Sequence, residues 1–484
     1  MRAIEVRLWD QRVGAVAADE RAGCYAFEYS PDWKRQGIEL APLMMPVAAP
    51  DPVSLFPSLS DPTFKRLPGL LADALPDDFG NALIDAWMAR RGLDRQAVTT
   101  LDRLAYMGKR GMGALEFRPA RGGATESTQP LQLQKLVETA RKVMQGDFSD
   151  DAHAEAVLAN VIRVGTSAGG ARAKAVVAWN PQTDEIRSGQ FDVPRGFEHW
   201  MLKFDGVGKD IELGVGEHYG RIEYAYHLMA VAAGIDMQPC RLLEENGRAH
   251  FMTRRFDRDD NQKHHIQSLC ALDHLDYKQR ATHAYEQLFL AATKLRFGDD
   301  ALRQVFLRMA FNVLARNCDD HTKHFAFRLR RGHPWELAPA YDVTHACNPQ
   351  GERTYQHLMS VNGRFKDIAR ADLMTVADRF GVAGPRPLLA DVRAALDSWP
   401  EHARSAGVPA GAGFLPAVAK ALRNRPRLAG ASFNHYSVSE YLTTSCTDRS
   451  TASGWTPCNR RWRRALSICS ASTWSCQLSV RSNR

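Results

Sequence analysis

Two acidic segments of the sequence carry residues that could act on a phosphate group. The first is Asn317-Cys318-Asp319-Asp320-His321-Thr322-Lys323-His324, and the second is Leu337-Ala338-Pro339-Ala340-Tyr341-Asp342. Phosphoryl transfer needs a carboxylate aimed at the attacking hydroxyl, and ligands for a metal ion that neutralises charge on the phosphates. Asp319 suits the first task and Asp342 the second, while Lys323 would lie against the γ-phosphate. These segments are compatible with a nucleotide kinase site.

The same residues allow two other interpretations. Two acids with a histidine also fit a hydrolytic metal site. A capped turn with surface salt bridges would have the same composition. The two segments by themselves leave all three interpretations open.

A glycine-rich segment lies upstream, Val164-Gly165-Thr166-Ser167-Ala168-Gly169-Gly170-Ala171-Arg172-Ala173-Lys174. Glycines let backbone amides approach phosphate oxygens closely, and Ser167 lies in the middle of the loop they would form. The segment does not have the GxxxxGK[ST] pattern, and a plain glycine-rich hairpin would look the same.

A strand and a helix that follow could supply a phosphate-binding lysine and its partner. Residues 199–205, HWMLKFD, alternate so that the apolar residues lie on one face of a strand and Lys203 on the other. A helical stripe comes next and ends near Gly234, with Glu223 beside it. Kinases hold a strand lysine on the α- and β-phosphates with a helix glutamate, and these two residues occur in that order. Lys203 and Glu223 could each also be an ordinary solvated side chain without a role in binding.

Residues 251–258, FMTRRFDR, change from apolar to charged, as expected where a strand leaves a core. A linker whose backbone pairs with adenine has this pattern, and so has an ordinary edge strand.

The elements that must position these residues read as mixed α and β. Alternation at 3–9 and β-prone pieces at 13–16 and 25–29 predict strands, and an apolar stripe from Leu83 predicts a helix ending near Gly92. Residues 121–130, RGGATESTQP, are the best linker candidate, and a second unit with strands first and helices later extends to about residue 425. A helix directly before the 317–324 segment is predicted by the apolar face Leu302, Val305, Phe306, Met309 and Val313.

Composition and charge exclude several classes of protein. The chain has 484 residues and a net charge of +8, but residues 441–484 hold seven arginines and one acid, so +6 of that charge lies in the tail. The body is nearly neutral, which does not indicate a nucleic-acid surface. Neither a spanning apolar segment nor a signal-peptide core is present, and nine cysteines without a CxxC pair agree with a reducing compartment. We therefore expect a cytoplasmic protein without a membrane segment.

Taken in order, these motifs make the chain resemble the HipA-like serine/threonine kinases, the toxins of bacterial toxin–antitoxin pairs. The NxDxHxKN-type loop occurs as NCDDHTKH, the metal-binding aspartate as APAYD, and the RFDR element is intact at 255–258. The SxxGxxxK element runs from Ser167 to Lys174, and LLADALPDDFG and MGKRGMGALEF also look like family segments. The resemblance covers about residues 1–425.

The resemblance implies a role for each matching residue. Asp319 would be the catalytic base, with Lys323 beside it, and Asp342 the chief Mg²⁺ ligand. Lys203 and Glu223 would hold ATP, and Arg254 and Phe256 would offer backbone groups to adenine, with Asp257 near the ribose. The phosphate loop would be formed by Gly165, Ser167, Gly169, Gly170 and Lys174, with Ser167 as a site of autophosphorylation.

The chain departs from the family at one metal position. The family has asparagine five residues after the catalytic aspartate, and this chain has His324. Magnesium prefers oxygen ligands to imidazole nitrogen. With His324 at this position, we expect that one metal is enough, that a water replaces the amide oxygen, or that activity is weakened.

The resemblance also implies a fold, a domain order and partners. We expect an α+β, two-lobed protein-kinase-like fold: an N-terminal α/β subdomain at 1–120, a kinase N-lobe-like part at 121–260, a mostly helical catalytic lobe at 261–425 and a disordered or aberrant tail at 426–484.

The expected activity is an ATP- and Mg²⁺-dependent toxin kinase acting on a translation-related protein, such as an aminoacyl-tRNA synthetase. A HipB-type helix-turn-helix antitoxin would be its partner and would bring most of the DNA contact. The alternatives are a catalytically weak or inactive HipA-like binding protein and a metal-dependent phosphohydrolase.

Overall fold

The computed structural model describes residues 3–76, 97–120, 130–145, 173–207 and 218–409, with a few positions between 80 and 92. These residues belong to one unit, 1–428. Several sequence predictions fall outside the described residues: most of the 121–130 linker, the 426–484 tail, and Gly165, Ser167, Gly169 and Gly170 of the phosphate loop.

An antiparallel sheet organises the N-terminal part, with the strand order β4-β3-β2-β1-β5. Ile4, Val6 and Leu8 of β1 are fully buried because the alternating pattern directs them to one face, so the predicted strands at 3–9, 13–16 and 25–29 are confirmed. The strands are β1 (Ala3–Leu8), β2 (Gln11–Asp19), β3 (Cys24–Tyr29), β4 (Val53–Ser54) and β5 (Leu115–Arg118).

Short helices pack beside this sheet. Thr99 begins one of them with a capping box, since its side chain accepts from the Asp102 amide while Asp102 bonds back to the Thr99 amide. Of the helix predicted from Leu83, Ile84 and Met88 are described and buried. The helices of this part are Pro31–Gln36, Asp61–Phe64, Gly69–Ala72, Thr100–Met107 and Leu133–Gln145.

A second antiparallel sheet has the order β7-β6-β8-β10-β9, and the Tyr219–Ala232 helix packs against it. In this sheet β10 pairs with strands on both sides, so the edge-strand interpretation of residues 251–258 is wrong. The strands are β6 (Lys174–Trp179), β7 (Ile186–Ser188), β8 (Glu198–Lys203), β9 (Cys240–Glu245) and β10 (Arg248–Arg254).

The remainder is mostly helical, as predicted, and the helix expected before the 317–324 segment spans Asp299–Ala315. The other helices are Leu269–Leu272, Tyr285–Lys294, Arg370–Arg379, Pro385–Asp397 and Trp399–Ser405. Small sheets complete it: β11 (Arg258–Asp259) with β12 (Gln262–Lys263), β15 (Ala326–Leu329) between β13 (His265–Ser268) and β16 (Trp335–Leu337), and β14 (His283–Ala284) parallel to β17 (Met359–Ser360).

Two large hydrophobic clusters and a small third one, Ala178 with Val193 and Phe197, form the core of the described residues. One joins the N-terminal sheet to part of the second sheet. The other joins the Tyr219–Ala232 helix to the helical part, with Tyr226 and Met229 fully buried. This helix is therefore fixed on one side by β10 and on the other by the helical part. Within the described ranges, the helices are too short or too polar to cross a membrane.

Candidate functional site

Two lysines project from the same face at the end of the second sheet. Lys203, the last residue of β8, lies directly opposite Lys174, the first residue of β6. Directly opposed residues of antiparallel strands share a face. On the other side of Lys203 lies Phe251 of β10, and the Lys203 Nζ atom is 5.7 Å from the centre of its ring. The ammonium groups of Lys174 and Lys203 therefore lie next to each other at the end of the sheet.

Glu223 of the Tyr219–Ala232 helix accepts a hydrogen bond from Lys203, with 2.5 Å between Nζ and Oε1. The helix packs closely on β10, since a Cβ at Gly220 would lie only 2.0 Å from the Ala249 carbonyl oxygen of that strand. Glycine at this position therefore permits the close packing that brings Glu223 to Lys203. The Asp205 carboxylate accepts from the His218 amide at 3.2 Å at the start of the helix. The predicted lysine–glutamate contact is therefore present, and it is buried on the glutamate side.

Asp342 approaches the same lysine from the helical part of the molecule. Lys203 donates to its Oδ1, and the Nε2 atom of His324 lies 3.4 Å from its Oδ2. Burial by itself would raise the pKa of Asp342, but Lys203 and His324 hold that pKa well below its usual range. Asp342 has φ +52°, a left-handed backbone that is uncommon for a residue with a side chain and is often found at functional sites.

The segment that carries Asp319 begins where the Asp299–Ala315 helix ends, at Arg316 with φ +59°. His324 lies in the single turn of 3₁₀ helix Thr322–His324, and its Nδ1 donates to the Asp319 carbonyl oxygen at 2.7 Å. The other ring nitrogen faces Asp342, so His324 bridges the two aspartates. Burial raises the pKa of the Asp319 carboxyl above its usual value.

The neighbouring Asp320 has a different environment. It is fully buried, and its carboxylate accepts from the Tyr285 hydroxyl, the His357 Nδ1 and the Leu358 amide, each at 2.8 Å. These contacts saturate the carboxylate and fix the loop. Asp319, the partly exposed aspartate of the pair, is therefore the one available to a substrate.

Metal-ligating atoms of Asp319, His321 and His324 lie within 4.8 Å of one another. Burial lowers the pKa of His321 well below its usual value, so this ring is neutral and able to ligate a metal. The carboxylates of Asp319 and Asp342 fit Mg²⁺, whereas the two imidazoles favour transition-metal dications. The donor set can thus accept Mg²⁺ but is not specialised for it.

The expected nucleotide-binding residues are only partly brought together. Arg254 ends β10 and lies 3.7 Å from Glu198, and its side chain is 38% exposed. Phe256 has its carbonyl oxygen occupied by Arg328 at 2.8 Å, and its ring lies 5.6 Å from that of Tyr341.

Two expectations need correction. Asp257 is fully buried; it accepts from Arg255 at 2.8 and 2.6 Å, from Arg258 at 2.6 Å and from the Gly113 amide at 2.7 Å. Its side chain is therefore a structural group and is not open to a ribose. Lys323 lies 3.9 Å from Asp73 of the N-terminal part rather than free beside a γ-phosphate.

Sequence reasoning overlooked three contributors. Asp205 holds the start of the glutamate helix, and its only signal is an acid preceding a helix. His321 completes the Asp-x-His-x-x-His spacing, which could have been noticed as a metal pattern. Asn317 donates to the Asp342 carbonyl oxygen at 3.4 Å and so ties the two acidic segments together.

Two family models match the chain. Residues 4–118 match the model of the HipA N-terminal domain, and residues 166–402 match that of the HipA-like C-terminal domain. No curated protein sequence matches the chain.

Two solved structures are similar to this one. A toxin–antitoxin complex of HipA, HipB and operator DNA from Shewanella oneidensis MR-1 gives a TM-score of 0.61 at 19% identity, covering 87% of this chain and 95% of that chain. It confirms the predicted α+β, two-lobed protein-kinase-like fold. The proinflammatory kinase CtkA of Helicobacter pylori gives a TM-score of 0.31 at 12% identity, covering 49% of this chain and 87% of that chain, which is below the level that indicates a shared fold.

Proposed function

We propose a function from the premise that this chain belongs to the HipA-like family, whose N-terminal and C-terminal domains it carries in order. It is an ATP- and Mg²⁺-dependent protein serine/threonine kinase that acts as a bacterial toxin in the cytoplasm. Its substrate is a translation-related protein, for which an aminoacyl-tRNA synthetase is the family's example.

One observation carries the proposal: Lys203 contacts both Glu223 and Asp342, and His324 links Asp342 to Asp319. Phosphoryl transfer depends mainly on positioned charge. A lysine held between a helix glutamate and a loop aspartate, with a second aspartate beside them, has the charges that a triphosphate and its metal require.

In this proposal each residue has one task. Lys203 and Lys174, which lie opposite each other, neutralise the charge of the phosphate oxygens. When the phosphates bind, Lys203 gives up part of its ion pair with Asp342 and contacts them instead. Asp319 accepts the proton of the attacking serine or threonine hydroxyl, and its raised pKa favours that acceptance. When bound, Mg²⁺ neutralises phosphate charge, and Asp342 and His324 are the residues that would hold it.

The phosphate loop and its regulation remain part of the proposal. Ser167 would be phosphorylated by the protein itself, and a dianionic phosphoserine in the loop would repel incoming ATP. Arg254 and Phe256 would offer backbone groups to the adenine.

The partner is proposed from the named complex. The Shewanella oneidensis structure holds HipA with HipB and operator DNA, which supports a HipB-type antitoxin as partner here. DNA contact would come mainly through that partner.

His324 motivates a second candidate function, a HipA-like protein that binds nucleotide and partner without transferring phosphate. The cluster of Asp319, His321 and His324 motivates a third, a metal-dependent phosphohydrolase. Binding without turnover identifies the second, and phosphate release without protein labelling identifies the third.

The test is autoradiography of the purified full-length protein with γ-labelled ATP, for wild type and Asp319→Ala. We expect labelled protein in the wild type, with phosphate on Ser167 by mass spectrometry, and none in Asp319→Ala. An exposed aspartate, Asp259→Ala, is the matched control and should label normally. Absence of label on the protein and on every candidate substrate would refute the kinase, whereas an unmodified Ser167 in active enzyme would refute only self-inhibition.

A further inference from the structure

Two cysteine thiols lie side by side at the base of the candidate site. A parallel bridge pairs Asn317 with Ala346, and the Cys318 amide donates to the Ala346 carbonyl oxygen at 2.8 Å. The next residues along the two segments are Cys318 and Cys347, so the continuing register places the two cysteines opposite each other, and each thiol shifts the pKa of the other. Neighbouring extended segments lie about 4.8 Å apart, which is within the range of Cα separations, about 4.4–6.8 Å, that a disulfide spans.

The two thiols differ in access. Cys318 is buried, and its Sγ is 3.9 Å from the Nε2 atom of His357. Cys347 is partly exposed. The neighbouring Cys318 and Arg316 lower the pKa of Cys347 to about 6. A partly exposed thiol with thiolate character beside a buried resolving thiol is the arrangement that redox-sensing cysteines share.

We propose that Cys318 and Cys347 form a reversible disulfide on exposure to a peroxide and that this bond switches off the neighbouring site. The bond itself follows from the geometry of the two thiols. Only its effect on phosphate transfer rests on the proposed kinase function.

The chemistry is balanced with hydrogen peroxide as the oxidant. The Cys347 thiolate attacks one peroxide oxygen, so that an S–O bond forms, the O–O bond breaks, and the departing hydroxide takes a proton to become water. The Cys318 sulfur then attacks the sulfenic sulfur; the S–S bond forms, the S–O bond breaks, and a second water leaves with the Cys318 proton. Two thiols are oxidised by two electrons and one peroxide is reduced, and a dithiol reductant reverses the change.

The position of the bond explains why it would affect the site. Asp319 follows Cys318 directly, and the segment of Cys347 begins at Asp342. A disulfide holds its sulfurs about 2.05 Å apart, well inside the contact distance of two thiols, so both side chains must rotate and the Cys318 sulfur must move relative to His357. The His357 ring that contacts Cys318 also holds Asp320. Misplacing a reacting group by about 1 Å can slow a reaction by about 10²-fold.

The first experiment is peptide mapping of the full chain after peroxide treatment, without reduction. Trypsin releases residues 317–323 and 332–353, each of which contains a single cysteine, 318 and 347 respectively. We expect these two peptides to appear joined after peroxide and separate after dithiothreitol. Because every peptide is identified by mass, cross-links of the four cysteines at 446, 458, 469 and 476 are distinguished from this one. If the joined peptide is missing, the proposal is overturned.

The second experiment measures phosphate transfer before and after peroxide in wild type, Cys347→Ser and Cys240→Ser. Cys240 is the matched control: it is also partly exposed, but burial raises its thiol pKa to about 12. We expect oxidised wild type and Cys240→Ser to lose at least about tenfold in rate, with recovery in dithiothreitol, and Cys347→Ser to keep its rate.

Each outcome of this second experiment has one meaning. A joined peptide with an unchanged rate overturns the switch. Reduced protein that shows no transfer overturns the proposed kinase, and in that case the joined peptide still supports the disulfide site.

Discussion

Among the described residues, two clusters of opposite charges have similar composition and differ in structure. The cleft cluster is Lys203 with Glu223 and Asp342, and the buried cluster is Asp257 with Arg255 and Arg258. In the buried cluster both carboxylate oxygens are bonded and the side chain of Asp257 has no exposure, whereas the side chain of Asp342 is 22% exposed and shares one lysine with a second carboxylate. A cluster whose carboxylate oxygens are all hydrogen-bonded stabilises the fold. A cluster next to solvent in which two carboxylates share one lysine can receive a metal ion.

The largest expected effect is on the buried cluster. Asp257→Asn leaves two buried arginines without their carboxylate and should lower the free energy of unfolding by about 3–5 kcal/mol. Chemical denaturation measures this, with Asp259→Asn, an exposed neighbour in β11, as the control. A change below about 1 kcal/mol would mean that the two clusters do not differ in the way described.

The cleft cluster should respond in activity. Lys203→Met removes the cation that faces the phosphates and should lower the rate of transfer by about 10²–10³-fold. Lys263→Met is the matched control because Lys263 is also largely buried on a carboxylate, 2.9 Å from Glu116, outside the site. The control should lose stability but retain transfer; equal rates in the two variants would remove Lys203 from the site.

The two clusters should also separate in their pH dependence. Burial by itself would raise the pKa of Asp257, but Arg255 and Arg258 hold that pKa well below its usual range. The stability that the ionised Asp257 supplies is therefore present above about pH 4 and is lost as the pH falls below that value. Burial raises the pKa of Asp319 above its usual value. Because a base must be deprotonated, transfer should fall as the pH is lowered through that pKa, by about tenfold per pH unit once the pH is below it, and this fall should come at a higher pH than the loss of stability. Rate and unfolding free energy measured from about pH 2 to 8 test this, and coincident acid limbs would contradict it.

The smallest expected effect is at His324. His324→Asn supplies the oxygen that Mg²⁺ prefers and should raise Mg²⁺ affinity and turnover on the order of tenfold. Calorimetry with Mg²⁺ and ATP and a transfer assay would show it, with the exposed His333→Asn unchanged. Equal values in wild type and His324→Asn would show that the histidine does not limit activity.

Much of the fold was predictable because hydrophobic periodicity reports which face of an element is buried. The strands of the N-terminal sheet, β8 and the Asp299–Ala315 helix all follow from it. The pairing of Lys203 with Glu223 was also within reach, since a strand and the helix after it commonly pack together. Periodicity gives no information about which of two adjacent aspartates is buried, so Asp319 and Asp320 could not be distinguished in this way.

The sequence by itself determined the residue types, their order along the chain and the faces of the elements that carry them. Tertiary structure alone decided that Asp320 and Asp257 are saturated by distant donors such as Tyr285 and Gly113, that Lys323 faces Asp73, and that Cys347 lies beside Cys318. The physical reason is that the role of a charged or nucleophilic group depends on its partners and its desolvation, and both come from segments far away in the chain.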